Sequence, residues 1–206
     1  MKEKHWIDAH KGLTWLAVVA MMAIHDSWSN PTVWLYLGLH GTYGLLWVLK
    51  SRVFPDKKWD KPASLGRGLA IAFGLSLYWI APWIVTSQGV TVPTWMFAAA
   101  PSVYAVGVFL HFSADMQKFT ALKLRPEELI EDGLFANARN VNYFGELLIY
   151  MSFAALSLHV LPFLVLLAFV LFIWIPNMRR KDRSLSRYPE FEDYRSRSSF
   201  FVPFIF

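Results

Sequence analysis

The fold is decided by thirty consecutive residues without a charged side chain, residues 147–176, which read LLIYMSFAALSLHVLPFLVLLAFVLFIWIP. A helix needs about 20 apolar residues to cross the roughly 30 Å hydrocarbon layer of a bilayer. Only 17% of the 206 residues are charged, whereas a soluble domain has about 25%. The chain is therefore predicted to be an all-α integral membrane protein that spans the membrane several times.

Apolar segments of suitable length predict about six transmembrane helices. They cover residues 13–29, 32–49, 68–87, 93–112, 143–159 and 161–176. The last two segments are nearly continuous and could form either one long bent helix or a helical hairpin. Pro162 disfavours an unbroken helix because proline lacks an N–H and clashes with the preceding turn. A hairpin is therefore predicted.

The basic residues divide the connections between these segments into two sets. All twenty Lys and Arg residues lie in residues 2–11, 50–67, 118–139 and 179–197. Basic connections face the cytoplasm under the positive-inside rule, which predicts an even number of spans with both termini cytoplasmic. The membrane would be a bacterial inner membrane or the endoplasmic reticulum, depending on the host. Topology and membrane lipid account for the net charge of +5, so no nucleic-acid partner is expected.

A second stretch, residues 133–146, leads into the uncharged run and reads GLFANARNVNYFGE. Asn142 and Glu146 are four residues apart, so they share one face of a helix. A carboxylate within a membrane segment is costly to bury and is a functional-site hypothesis by default. The alternative is a capping role, in which the asparagine caps the helix and Glu146 complements its dipole. Both roles can coexist.

Arginine residues occur on both sides of the predicted hairpin, and this pattern is suited to phosphate. Guanidinium groups bind phosphate in bidentate geometry, so Arg139, Arg179 and Arg183 are candidate cofactor contacts. Anchoring at the membrane surface is the alternative interpretation. Asp115 could accept hydrogen bonds from ribose hydroxyls or from an amide, and solvation at the surface explains it equally well.

His40 and Tyr43 lie in the middle of the second predicted span. A histidine inside a membrane usually faces a polar interior, and a tyrosine can donate a hydrogen bond to a carbonyl. The alternative for Tyr43 is an ordinary packed aromatic side chain. The chain has no cysteine, which excludes thiolate chemistry. No histidine pair stands at metal-ligand spacing with carboxylates, so no metal is expected.

Two separated motifs resemble the C-terminal domain of the steroid 5-alpha-reductase family. The first is residues 133–146, and the second contains YPEFEDY at residues 188–194 and VPFIF at residues 202–206. The predicted hairpin lies between them. The resemblance covers residues 105–206 and implies a cofactor-side domain there. Residues 1–104 would form the N-terminal transmembrane helices on the substrate side, and together the two parts would form one integrated membrane domain.

The resemblance implies an NADPH-dependent reductase of a carbon–carbon double bond conjugated to a carbonyl. The substrate would be steroid-like or another small apolar lipid that enters from the bilayer. Glu146 would lie near the nicotinamide, and an acid group would polarise the carbonyl. The candidate catalytic residues are Glu146, Tyr43 and His40. The candidate cofactor contacts are Asp115, Arg139, Asn142, Tyr143, Arg179, Arg183, Tyr188 and Tyr194.

Two alternative functions remain open. Membrane methyltransferases of the isoprenylcysteine carboxyl and phospholipid types share this architecture and use S-adenosylmethionine. They typically have Arg-His-Pro before Tyr-x-Gly and paired acidic residues after the hairpin. This chain has Arg139-Asn140-Val141 at the first position and Arg179-Arg180-Lys181-Asp182 at the second. Positive charge at these positions favours a polyphosphate cofactor over a cationic sulfonium. The third hypothesis is a non-enzymatic lipid-binding scaffold, which has no need of a glutamate in a span.

Overall fold

The structure of the protein is a computed structural model that describes residues 1–205. Ten α-helices occur in the order α1 to α10, and this part of the chain contains no β-strand. Their bounds are Glu3–Ile24, Pro31–Tyr36, Thr42–Val53, Leu65–Ser76, Ile80–Ser87, Met96–Leu124, Val141–Leu156, Val160–Phe169, Ile175–Leu185 and Phe191–Arg197. A π-helical turn, Leu37–Gly41, joins α2 to α3, and a second, Val170–Trp174, joins α8 to α9. The last residue of the second family-like motif, Phe206, lies outside the described residues.

The helices agree with an all-α membrane protein. Four continuous helical segments are long and apolar enough to cross a membrane: Glu3–Ile24, Leu65–Ser87, Met96–Leu124 and Val160–Leu185. The other two predicted spans correspond to the continuous helix over residues 31–53 and to α7, an apolar helix of 16 residues. A helix of 16 residues is about 24 Å long, which is shorter than the hydrocarbon layer.

Several helices continue well beyond their predicted apolar segments. The segment predicted at 93–112 belongs to a helix that ends at Leu124, and the one predicted at 161–176 belongs to a helix that ends at Leu185. The hydropathy pattern identifies only the part of a helix that lies in hydrocarbon. The helix itself continues until its backbone hydrogen bonding ends or a capping residue terminates it. These extensions matter because they carry Asp115, Arg179 and Arg183.

The predicted hairpin is confirmed. Helix α7 ends at Leu156 and α8 begins at Val160, and Leu158 between them has a left-handed φ of 47°. Two side chains replace the helical bonds lost at the turn, since Ser157 Oγ accepts from the His159 N–H at 3.3 Å and His159 Nδ1 accepts from the Leu161 N–H at 3.0 Å. Pro162 lies in the first turn of α8, where its missing N–H costs no helical bond.

The chain divides into two compact units, and the boundary crosses α7 and α8. Unit 1 comprises Met1–Tyr104 and Tyr150–Leu166, and unit 2 comprises Ala105–Ile149 together with the residues from Leu167 onward. Unit 1 therefore contains residues 150–166 in addition to residues 1–104. The substrate-side role of residues 1–104 and the cofactor-side role of residues 105–206 stay predictions.

In unit 1, α1 packs against α3, α4 and α5. The buried face of α1 follows the helical period. It consists of Glu3, Ile7, His10, Lys11, Thr14, Val18 and Met22. Helix α3 approaches α1 closely at Gly44, where an added Cβ would lie 2.1 Å from the Lys11 carbonyl oxygen. Only glycine allows this backbone contact, and the contact sets the position of Lys11.

In unit 2, the core joins α6 to the segment that precedes α7. Its buried cluster consists of Ala114, Phe135, Ala138 and Val141, with Leu110, Ile130 and Leu134 packed against it. The backbones of α6 and α7 approach closely at two glycines. A Cβ at Gly145 would lie 2.5 Å from the His111 nitrogen, and one at Gly107 would lie 2.7 Å from the Gly145 carbonyl oxygen.

We expect Gly44→Ala to destabilise the protein by about 2 kcal/mol, because the new methyl group overlaps backbone that cannot move aside alone. Thermal unfolding of the purified protein in detergent measures this effect. Gly74→Ala in α4 is the matched control, since no atom lies within 4 Å of its added Cβ. Higher helix propensity should make that variant as stable as the parent protein or more stable. Equal unfolding temperatures for the two variants would contradict the proposed close contact.

Candidate functional site

The start of α7 is joined to the C-terminal segment by backbone and side-chain hydrogen bonds. The Ser199 N–H donates to the Asn137 carbonyl and the Arg139 N–H donates to the Ser199 carbonyl, both at 3.0 Å. The Asn140 amide donates to the Phe200 carbonyl at 2.8 Å. The polar residues before α7 therefore hold residues 198–200 in place.

Arg139 is the central residue of this junction, and only 5% of it is exposed. Its Nε donates to Asp182 Oδ2 at 3.1 Å. Its Nη1 donates to the carbonyl of Arg195 at 3.2 Å, to Ser198 Oγ at 2.9 Å and to the Ser198 carbonyl. Lys181 donates to the Arg139 carbonyl in turn. The buried guanidinium thus ties α7, α9 and the C-terminal segment together.

The predicted shared face of Asn142 and Glu146 lies on α7, and both side chains are partly buried. Asn142 Nδ2 donates to Asp115 Oδ1 at 3.1 Å, so the structure brings together two predicted cofactor contacts. Asp115 is buried, with 5% of its surface exposed. His111, one turn before Asp115 on α6, has its Nδ1 3.0 Å from the Asn142 carbonyl oxygen. His111 was not predicted, although its position four residues before Asp115 places both side chains on one face of α6.

The side-chain oxygen of Asn142 is a hydrogen-bond acceptor that none of the described residues uses. Its Oδ1 is buried and accepts no hydrogen bond from any of the described residues. A buried polar atom without a partner costs about 1–3 kcal/mol, so a ligand that donates an N–H or O–H there would recover this cost.

A cleft of about 500 Å³ lies beside Arg139 in unit 2. This volume falls within the range of small-molecule sites, about 300–1,000 Å³. The cleft is lined by Arg139, Arg179, Asp182, Arg183, Ser186, Phe191, Glu192, Arg195 and Phe200. The predicted residues Arg139, Arg179 and Arg183 therefore line one cleft. Ser186, Arg195 and Phe200 were not predicted from the sequence. Ser186 could have been, because it follows Arg179 and Arg183 on the same helical face.

The arginines of the cleft differ in whether a nearby carboxylate already neutralises their charge. Arg139 pairs with Asp182, and Arg195 lies 3.6 Å from the Glu192 carboxylate. Arg179 and Arg183 are exposed, and within residues 1–205 neither guanidinium makes an ion pair or a hydrogen bond. Two uncommitted guanidinium groups one helical turn apart can bind an anion with several oxygens.

The three tyrosines predicted as cofactor contacts do not line this cleft. Tyr194 is buried and donates its hydroxyl to the Phe135 carbonyl at 2.7 Å, and burial raises the pKa of Tyr194. The Tyr188 hydroxyl accepts from Arg187 Nη2 at 2.9 Å. Tyr143 packs on Trp174 with ring centroids 5.7 Å apart. A cofactor role for these three residues stays a prediction.

His40 and Tyr43 lie in a separate polar cluster within unit 1, and both are buried. His40 belongs to the π-helical turn, and its Nδ1 is 2.9 Å from the Tyr36 hydroxyl. The Tyr43 hydroxyl accepts from Lys11 Nζ at 3.0 Å. Lys11 is absent from the predicted site because it stands just before the predicted span 13–29. Its place on the inward face of α1 is the signal that identifies it.

We expect Arg139→Ala to destabilise unit 2 by about 3 kcal/mol, since it leaves the partly buried Asp182 carboxylate without its partner. The junction should also open, so trypsin should cleave faster at Arg195 and Arg197. Thermal unfolding and limited proteolysis of the detergent-purified protein measure the two effects. Arg180→Ala, which removes an exposed arginine from the same end of the chain, should change neither. An unchanged cleavage rate in Arg139→Ala would rule out the anchoring role.

Comparison with known proteins assigns a family. No curated protein matches the chain. A profile of the family described as a protein of unknown function (DUF1295) matches residues 69–198, which is more than half of the chain. This match includes α7, the hairpin and every residue that lines the arginine cleft except Phe200. The chain belongs to the DUF1295 family, which includes steroid 5-alpha-reductase-like membrane proteins.

Proposed function

We propose that this protein is an NADPH-dependent membrane reductase of the steroid 5-alpha-reductase type. It reduces a carbon–carbon double bond conjugated to a carbonyl in a steroid-like or other lipid substrate. The observation that carries the proposal is the arginine cleft of unit 2, where Arg179 and Arg183 stand one turn apart without ionic partners among the described residues.

The chemistry of the cleft fits the phosphate-bearing part of NADPH. The dinucleotide carries a pyrophosphate and a 2′-phosphate, and guanidinium groups bind such oxygens in bidentate pairs. Arg179, Arg183 and the Ser186 hydroxyl would hold these phosphates, while Phe200 offers an apolar surface at the same cleft. Bound NADPH would supply the hydride for the reduction.

The Asp115–Asn142 pair supports the same proposal. Asn142 Oδ1 is a buried acceptor with no donor among residues 1–205, and the carboxamide or a ribose hydroxyl of the cofactor would satisfy it. Asp115 holds the Asn142 side chain at 3.1 Å and so fixes the direction of this acceptor. Glu146 follows one turn later on α7 and is the candidate acid at the reacting end.

The charge of the cleft also helps to distinguish NADPH from S-adenosylmethionine as the cofactor. Four arginines and two carboxylates line it, and this positive balance disfavours the cationic sulfonium of S-adenosylmethionine. In the proposal the arginine cleft faces the cytoplasm, where NADPH is available, and both termini are cytoplasmic. The apolar substrate enters from the bilayer.

We expect NADPH to raise the unfolding temperature of the detergent-purified protein and S-adenosylmethionine to leave it unchanged. A ligand at 100 times its Kd stabilises the folded state by about 2.7 kcal/mol. Arg179→Ala and Arg183→Ala should each weaken NADPH binding about tenfold, because each removes a charge-assisted hydrogen bond. Arg180→Ala is the matched control, since Arg180 is exposed and does not line the cleft.

The outcomes separate the three functions. Stabilisation by S-adenosylmethionine but not by NADPH would replace the reductase with a methyltransferase. Stabilisation by neither ligand would leave the lipid-binding scaffold. Equal loss of binding in Arg180→Ala and Arg183→Ala would show that general charge, and not the cleft, attracts the cofactor.

We expect Glu146→Gln to lower the rate of NADPH oxidation about 10²-fold, the usual scale for a general acid or base, with little change in NADPH affinity. The assay follows NADPH absorbance with cholestenone, a cyclic enone, and hexadecenal, a linear unsaturated aldehyde. Glu190→Gln is the control, because Glu190 is exposed and lies outside the cleft lining. Turnover unchanged in Glu146→Gln would remove this residue from the mechanism.

A further inference from the structure

A turn at residues 202–205 in unit 2 exposes two large apolar side chains that the proposed function does not use. Phe204 is 75% exposed and Ile205 is 67% exposed. Apolar side chains of this size stabilise a folded state only when they are removed from water. Contact with a partner of apolar chemistry would therefore contribute free energy that the folded chain alone does not gain.

The backbone of this turn is strained at the residue that carries the first of these side chains. The Ile205 N–H donates to the Val202 carbonyl at 3.2 Å, and Pro203 occupies the second position of the turn. Phe204 occupies the third position with a left-handed φ of 64°. This is the pattern of a type II turn, which favours glycine at the third position because a Cβ there is crowded. Glycine would fit this backbone with less strain, so the turn points to a use for the phenylalanine side chain itself.

The turn is attached to the start of α7. Residues 198–200 form hydrogen bonds with residues 137–140. The next residue, Phe201, packs edge-to-face against Phe144, with ring centroids 6.3 Å apart. Phe144 lies in the first turn of α7. The exposed turn begins one residue after Phe201, so its position relative to the start of α7 is fixed.

This attachment places the turn close to the level where α7 enters the membrane. The run without charged side chains begins at Leu147, three residues after Phe144 and so about 4.5 Å further along the helix axis. From Phe201 to Phe204 the chain extends by about 11 Å at most. Segments that lie at a bilayer surface bury apolar groups about 5–10 Å into the boundary between headgroups and acyl chains. The two exposed side chains are therefore within reach of that boundary.

The composition of the segment also favours lipid as the partner. Residues 198–205 contain no charged side chain, so the turn has no charge that would have to leave water on insertion. The polar groups of residues 198–200 are already bonded to the residues before α7. Only the apolar part of the segment remains exposed, which is the arrangement that an apolar layer requires.

We propose that Phe204 and Ile205 insert into the lipid bilayer at the membrane surface next to the arginine cleft. Their partner is the region between the headgroups and the acyl chains, which offers apolar contact to both side chains. Phe200 lines the cleft and directly precedes Phe201, so the inserted turn places the cleft beside the bilayer. The inference does not depend on the identity of the cofactor.

The test uses spin labels attached to introduced cysteines, because the chain has no cysteine of its own. Phe204→Cys and Ile205→Cys are labelled separately in the full chain, which is reconstituted into nanodiscs of phosphatidylcholine and phosphatidylglycerol. Electron paramagnetic resonance measures collisions of each label with oxygen, which concentrates in the bilayer, and with a nickel chelate, which stays in water. Insertion should lower the nickel collision rate at both labels about tenfold relative to a label in water.

Two labelled variants provide the reference values. Ser196→Cys replaces an exposed residue of α10 and should give the high nickel collision rate of water. Phe172→Cys replaces a side chain that is 77% exposed on the apolar helix Val160–Leu185 and should give the high oxygen collision rate of hydrocarbon. The labels at residues 204 and 205 should resemble the Phe172→Cys label more than the Ser196→Cys label.

Substitutions at Phe204 separate the side chain from the turn. With the label at Ile205→Cys, Phe204→Gly keeps a residue suited to positive φ but removes the apolar side chain. The nickel collision rate should then rise toward that of Ser196→Cys. Phe204→Leu keeps a large apolar side chain and should leave the rate low. Circular dichroism and thermal unfolding identify any variant that does not fold, and the two single labelled variants then carry the test.

The outcomes distinguish lipid from water and from protein. Nickel collision rates at residues 204 and 205 equal to that of Ser196→Cys would overturn the proposal, as would equal rates in Phe204→Gly and Phe204→Leu. Low collision rates with both reagents would also overturn it, because protein and not lipid would then cover the two side chains. The measurement contains no NADPH, so failure of the reductase proposal would leave its result unchanged.

Discussion

A peptide group within the hydrocarbon layer has no water to bond, so each N–H and C=O there must find a partner within the chain. Helices meet this requirement, and the long apolar helices of this protein follow from it. The same constraint explains the turn at residues 157–159. There the Ser157 and His159 side chains accept hydrogen bonds from backbone N–H groups that have no acceptor within a helix. It also makes each buried charge informative, because a charge without partners would not be retained.

Four cations of this chain are held in three different ways. Arg139 is surrounded by a carboxylate and backbone carbonyls. Its charge is therefore neutralised where it joins α7 and α9 to the C-terminal segment. Arg179 and Arg183 are exposed in a cleft and remain available to an anion. Lys11 lies among phenols and aromatic rings, which stabilise its charge in an apolar interior.

The sequence predicted those features that depend on short-range spacing. The i, i+4 relation placed Asn142 and Glu146 on one face of α7, and Pro162 indicated the hairpin. The separation of basic and uncharged segments predicted an all-α membrane protein. The arginines on both sides of the hairpin pointed to Arg179 and Arg183 as anion contacts, although their shared cleft with Arg195 and Phe200 depends on how α9, α10 and the C-terminal segment pack.

Long-range contacts were decided by the tertiary structure alone. Sequence patterns treat Arg139 and Arg183 as similar basic residues, but folding buries the first against Asp182 and leaves the second exposed. Lys11 and Tyr150 are separated by 139 residues, and no local pattern relates them. The sequence by itself determined the helices, because hydrophobicity and backbone bonding act locally. Helix packing alone decided which polar side chains come into contact, because the close backbone contacts at the glycines fix the positions of the helices.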